Sequence, residues 1–341
     1  MSGFKWMAAG GLLLLGARVL GQRAADLRGK TALITGGSRG LGLALAQELA
    51  RNGCNVAICA RDARALDEAR KRLEEMGAQV LAETCDVSRR DEVEAWVASA
   101  CRRFGQVDIL VNNASIIQVG PLETMDLVDF EQAMAVNFWG GVHATSAVLP
   151  QMRERRAGQI ASITSIGGTV AVPHALPYDA AKFAMVGFSE GLRAELAKDG
   201  ISVTTIIPGF MRTGSPVNAL FKGKQSQEFA WFALGGVLPI VSMSAERAAR
   251  RIVRAVRRRE PEVTLGWQAK TLKLVHALAP SLTLRALGLV NRLLPASGAR
   301  VAVRGQELLG GGGFRRVQRL LEPAARKFNQ YAGQVSETGT R

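Results

Sequence analysis

Thr31-Ala32-Leu33-Ile34-Thr35 runs straight into Gly36-Gly37-Ser38-Arg39-Gly40-Leu41-Gly42, and this junction decides the fold. A strand that ends on glycines and restarts as a helix can turn tightly. It brings backbone N–H groups and the positive end of a helix dipole up to a pyrophosphate. Outward from the junction, short β-branched runs alternate with longer amphipathic stretches. The runs at 31–35, 55–60, 78–83, 109–112, 159–164, 202–208 and 262–265 are the expected strands. The expected helices lie at about 40–52, 64–76, 90–103, 126–155, 177–198 and 245–259, the last with Ser244 as its N-cap. Seven strands with helical spacers predict one parallel sheet, with right-handed crossovers winding helices onto both faces of an α/β fold. Residues 210–243 break the alternation, being apolar and poor in charge, and are expected to form a substrate lid.

Composition narrows the class. The chain has 341 residues and 48% apolar content, enough for a large core, which excludes intrinsic disorder and coiled coil. Cys54, Cys59, Cys85 and Cys101 form no CxxC pair, and His143, His174 and His276 have no metal-ligand spacing. Neither a disulfide scaffold nor a metal site is supported, and a reducing compartment is expected. The net charge of +15 sits at the ends: residues 1–30 carry +4, residues 251–341 carry +12, and the body carries −1. Such asymmetry marks appendages that meet an anionic partner.

The glycines at 36, 40 and 42 form a TGxxxGxG pattern that resembles the short-chain dehydrogenase/reductase family. Its extended relatives use TGxxGxxG and would need glycine where Arg39 stands. The resemblance implies a Rossmann-type fold and a nicotinamide cofactor held by Gly36, Ser38, Arg39, Gly40, Leu41 and Gly42. Arg61, at the end of the second strand, stands where a ribose 2′ substituent would lie, and Arg39 projects toward the same place. Two guanidiniums suit a 2′-phosphate, so NADP(H) is the expected cofactor, although Asp62 nearby is an acid of the kind that NAD enzymes use. Asp86-Val87 resembles the family's adenine-contacting pair. Asn112-Asn113-Ala114-Ser115 resembles its NNAG motif with serine for glycine, which adds Asn113 and Ala114 to the set. Pro208-Gly209 and Thr213 resemble the PGxxxT motif that closes over the nicotinamide.

Tyr178 and Lys182, four apart, share one helical face, where an ammonium can lower the pKa of a phenol and ready it for proton transfer. With Ser165, thirteen residues before the tyrosine, and Asn137 in the preceding helix, they resemble the family's catalytic set. The resemblance assigns the substrate oxygen to Ser165, the proton to Tyr178, the nicotinamide ribose to Lys182 and a proton relay to Asn137. It covers roughly residues 28–265. Within the lid, Phe221, Phe229, Trp231, Phe232, Leu234, Val237, Leu238 and Ile240 outnumber Lys222, Lys224 and Glu228, which favours a lipophilic carbonyl or alcohol.

The flanks complete the organisation: an apolar anchor or helix over 1–26, a catalytic domain over 27–266, a basic amphipathic helical extension over 267–333 that breaks at Pro280, and a disordered tail over 334–341. The apolar run at 7–17 is too short to span a bilayer, and an uncleaved interfacial anchor is the preferred reading. In the extension, which opens on Trp267, Arg285 and Arg292 fall on one face of the leucine-rich second segment. This suits an anionic membrane surface on the cytoplasmic side; packing on the domain is the alternative. Nucleic acid is not expected as a partner, since no recognition motif is visible, and a second copy of the chain stays open. The sequence therefore predicts an oxidoreductase. The rivals are a catalytically idle nucleotide-binding sensor and a membrane-associated scaffold.

Overall fold

The computed structural model describes residues 24–238, 240–309 and 315–331. The expected anchor run at 7–17 and the expected tail lie outside them. The central sheet holds β1 (Thr31–Thr35), β2 (Asn55–Ala60), β3 (Val80–Thr84), β4 (Ile109–Asn112), β6 (Gly158–Ile163), β7 (Ile201–Pro208) and β11 (Glu262–Leu265). Their order is β11-β7-β6-β4-β1-β2-β3, and every pairing is parallel. The chain starts at the middle of the sheet and winds outward first one way and then the other. Both faces are covered, so β1 reads as a continuous apolar run: Ala32 and Ile34 enter one core while Leu33 enters the other.

The first core lies under α1 (Gly40–Arg51), α2 (Ala63–Glu74) and a later helix, Ala245–Arg257. The second lies under α3 (Arg90–Phe104) and the helix Gly140–Glu154. Strand ends fall within two residues of those predicted. The helix predicted over 126–155 is in fact three pieces: α4 (Leu127–Met134), a π-turn (Ala135–Trp139) and α5 (Gly140–Glu154). One inserted residue leaves the apolar period almost unchanged, which is why the pattern could not show it.

The region 210–243 is corrected more strongly. It is not a bare lid. It contains β8 (Met211–Arg212), a 3₁₀ turn (Ser215–Asn218), β9 (Leu220–Gly223), α7 (Gln225–Val237) and β10 (Met243–Ser244), with α6 (Leu176–Leu196) before it and α8 (Ala245–Arg257) after it. Strand β9 pairs with β5 (Gln118–Val119) on one side and with β12 (Ala299–Arg304) on the other. Beneath this small sheet Phe221, Phe229, Ala233 and Val237 form a third core with Val119 and Leu321. Phe221 and Phe229 are fully buried, so they do not wall a substrate pocket. Lys222 and Glu228 are also committed: Lys222 pairs with Asp129 at 2.6 Å, and buried Glu228 pairs with His174 at 2.8 Å.

The extension divides in two. Helices α9 (Trp267–Leu278) and α10 (Pro280–Asn291) form a hairpin that breaks at Ala279, next to the expected Pro280, and only Ala269 and Thr283 of the pair are buried. Beyond it the chain is not simply helical: β12 adds an edge strand to β9, and α11 (Arg315–Lys327) joins the third core through Leu321.

Candidate active site

A cleft of ≈ 340 Å³ opens at the carboxyl ends of β1, β2, β4 and β6, lined by the glycine turn, Arg61, Asp86, Val87, Asn113, Ala114, Tyr178, Lys182 and Thr213. The turn is built by steric necessity. Gly36 and Gly40 have φ of +66° and +59°, a region that side-chain-bearing residues avoid. A Cβ on Gly42 would lie 2.1 Å from the Gly36 carbonyl oxygen, and one on Gly36 would lie 2.9 Å from Ala114 Cα. Asn113 locks the turn by donating through Nδ2 to the carbonyls of Thr35 (2.9 Å) and Gly36 (3.1 Å). Thr35 Oγ1 in return accepts the amides of Asn113 (2.9 Å) and Ala114 (3.0 Å). The cradle fits a dinucleotide diphosphate: glycines at 36, 40 and 42 keep Cβ atoms out of its tightest points, and it faces the N-terminus of α1, whose first amides lack intrahelical partners.

At the β2 end Arg39 and Arg61 both line the cleft. Arg39 is less free than the sequence suggests, since Nη1 donates to Asn218 Oδ1 at 2.9 Å. Burial lowers its pKa, Asp62 opposes that, and the nearby charges of Arg304 and Arg61 add to the lowering. Asp62, the acid that could have signalled NAD, caps α2 by accepting the Ala65 amide at 3.0 Å. Asp86 sits 3.8 Å from Arg61 and accepts from the Ser88 hydroxyl at 2.7 Å. Val87 lies beneath Gly140, where a Cβ would meet it at 2.7 Å.

At the other end, Ser165 caps a 3₁₀ turn (Ile166–Gly168) through the Gly167 amide at 3.1 Å. Pro177 opens α6, and Tyr178 and Lys182 follow on its first turns, with Lys182 Nζ 5.6 Å from the centre of the tyrosine ring. Lys182 is buried and donates to the Ile163 carbonyl at 3.0 Å. The sequence predicts a phenol lowered by its lysine, and the structure corrects this. Burial pushes Tyr178 up to about 12, with a hydrogen bond to Ser165 pulling it back, and burial pushes Lys182 down to about 8. Desolvation is the largest cause for both groups, and the neighbouring Asp179 adds to the rise of Tyr178. Asn137, in the π-turn, does not point its amide at the tyrosine. It accepts the Ile116 amide at 2.8 Å and donates to the Ile116 carbonyl at 3.0 Å. It also lines, with Lys182 and Asn112, a small cavity of ≈ 10 Å³ behind the cleft.

Thr213 lines the cleft, whereas Pro208 and Gly209 lie off it, the Gly209 amide donating to the Leu265 carbonyl at 2.9 Å. Among the lining residues that escaped sequence reasoning are Asn218, Arg304 and Gln330. No local pattern marks them, because each reaches the cleft through long-range packing.

A family model described as short chain dehydrogenase matches residues 30–220. A "dehydrogenase/reductase SDR family protein 7-like" from Anopheles gambiae is 38% identical over 252 residues, 72% of this chain and 77% of its own length. Among solved structures, a short-chain dehydrogenase from Streptomyces avermitilis superposes with a TM-score of 0.65 at 29% identity, covering 77% of this chain and 98% of that one. A variant of an actinorhodin polyketide ketoreductase, solved with NADPH, superposes with a TM-score of 0.61 at 31% identity, covering 72% and 98%.

Proposed function

The chain belongs to the short-chain dehydrogenase/reductase family of oxidoreductases, and on that premise we propose that it reduces the carbonyl group of a lipophilic substrate with NADP(H). The observation that carries the reading is the placing of Tyr178 and Lys182 in the cleft that the glycine turn opens, with Lys182 Nζ 5.6 Å from the centre of the tyrosine ring. Gly36, Ser38, Gly40, Leu41 and Gly42 would hold the diphosphate, Arg39 and Arg61 the 2′-phosphate, Asp86 and Val87 the adenine, and Lys182 and Thr213 the nicotinamide riboside. When bound, NADPH supplies the hydride.

The chain's own residues handle the proton. Tyr178, with a pKa of about 12, stays protonated at neutral pH and can donate to a carbonyl oxygen, while Ser165 hydrogen-bonds the same oxygen. The reverse reaction would need a phenolate, which burial disfavours. Lys182, charged below about pH 8, stabilises the tyrosinate as the proton leaves. Asn137 holds the Ile116 segment, and the cavity beside it is near the minimum that holds one water, which would link Lys182 to a relay. Ile116, Ile117, Met211 and Leu220 line the cleft and support an apolar substrate. An idle nucleotide-binding platform is the weaker reading, because binding alone gives no use to a buried lysine beside a tyrosine.

The test is Tyr178→Phe, which keeps the ring and removes the proton. Turnover of NADPH with lipophilic ketones is expected to fall by about 10²-fold or more while NADPH affinity stays near wild type. Unchanged turnover would overturn the mechanism.

Peripheral attachment to an anionic membrane is part of the same proposal. No helix among the described residues is long and apolar enough to cross a membrane. The α9–α10 hairpin nevertheless exposes Leu274, Leu278, Leu282, Leu289 and Leu293 alongside Trp267, Lys270, Arg285 and Arg292. An exposed apolar face with basic neighbours suits a lipid interface better than open water.

A further inference from the structure

After α11 the C-terminal extension returns to the cleft. Phe328, buried in the first core, presents its carbonyl to the Gly40 amide at 2.8 Å. Asn329, buried and at a φ of +60°, donates through Nδ2 to the carbonyls of Ser38 (3.0 Å) and Ala65 (2.9 Å). Gln330, also buried, reaches the opposite wall. Its Nε2 donates to the Thr213 carbonyl at 2.8 Å, while its Oε1 and its own carbonyl accept from Asn218 Nδ2 at 2.7 and 2.9 Å. Asn218 in turn accepts from Arg39. One continuous network thus runs from Arg39 through Asn218 and Gln330 to Thr213, across the mouth of the glycine turn.

Resting on the reading of this cleft as the NADP(H) site, we propose that Phe328–Gln330 is a clasp that ties the glycine turn to the 213–218 wall and retains the bound cofactor, with Gln330 as the residue that closes it. The geometry favours retention over obstruction. Phe328 takes only the Gly40 amide, and the next amides of α1, those of Leu41 and Gly42, remain in the first turn for a phosphate. The Gln330 amide nitrogen lies 3.0 Å from where a Cβ of Gly40 would stand, so it borders the diphosphate cradle. It carries two hydrogens and gives one to Thr213, leaving one for a phosphate oxygen.

The experiment uses full-length protein loaded with NADPH and mixed rapidly with excess NADP⁺, following loss of NADPH fluorescence. Gln330→Ala is expected to speed dissociation about tenfold, the worth of one or two hydrogen bonds. Gln330→Glu is expected to speed it further, because a carboxylate would face the diphosphate, although the two variants unfold thermally alike without cofactor. Asn218→Ala breaks the same network from the other wall and is expected to match Gln330→Ala. Release within twofold of wild type in all three variants would overturn the clasp. So would equal acceleration in Ala and Glu variants that merely follows a lowered unfolding temperature, since that marks a structural role. Failure of the wild type to bind NADPH in titration would instead overturn the cofactor reading, and the same release measurement with NADH would then judge the clasp by itself.

Discussion

Asp179, one residue after the tyrosine, shows how burial reshapes a group that the sequence presents as ordinary. One of its oxygens accepts the Val172 amide at 2.6 Å, and the other has no partner among the described residues. Burial pushes its pKa up from 3.8 to about 8. The native carboxyl therefore keeps a proton that the unfolded chain releases, and stability falls as pH rises from about 4 to about 8. Denaturant unfolding across that range should show this slope in wild type and a flatter one in Asp179→Asn; parallel slopes would contradict the assignment. Arg39 and Arg61 allow a second residue-scale test. Replacing both by alanine is expected to weaken NADPH binding by about 2 kcal/mol and leave NADH almost unchanged, through lost charge-assisted hydrogen bonds. Equal losses for both cofactors in parallel titrations would mean that the arginines do not discriminate. Arg61 was legible from the strand end and Arg39 from the glycine turn, whereas the grip of Asn218 on Arg39 was not, since the two lie 179 residues apart.

Among the elements, the glycine turn is the most constrained. A Cβ at Gly42 meets backbone, which cannot swing aside as a side chain would. Gly42→Ala should cost about 1–3 kcal/mol in stability by overpacking and should abolish NADPH binding, measured by thermal unfolding and titration; a variant that binds normally would show the contact to be compliant. Strands and most helices were readable because their signals are local: β-branched runs, caps such as Ser244, which accepts the Arg247 amide at 3.3 Å, and a proline at the start of α6. The π-turn at Ala135–Trp139 was not readable. Within it Asn137 makes a pair of hydrogen bonds to Ile116, a segment 21 residues away, which no local pattern announces. The aromatic residues of α7 announced an apolar purpose without its direction, and only the arrival of β5, β9 and α11 turned them into core.

Whole-molecule behaviour depends on what the extension does. Deleting it would remove β12, α11 and the clasp along with the exposed hairpin, so substitution in place is the cleaner test of membrane attachment. Leu278, Leu282 and Leu293 are 77%, 66% and 86% exposed, and converting all three to Glu should leave thermal unfolding unchanged. The same change should sharply reduce sedimentation with anionic liposomes, whereas high salt should release the wild type only in part. A wild-type protein that ignores such vesicles at low salt would refute attachment. The sequence by itself determined the seven-stranded doubly wound sheet, the glycine turn and the order of Ser165, Tyr178 and Lys182, because each follows from spacing within a few turns of chain. Tertiary structure alone decided the third core, the upward shift of Tyr178 and the meeting of Gln330 with Asn218 and Thr213. Desolvation and long-range hydrogen bonds arise only when segments distant in sequence are packed together, as the 112 residues between Asn218 and Gln330 show, and no local pattern carries that information.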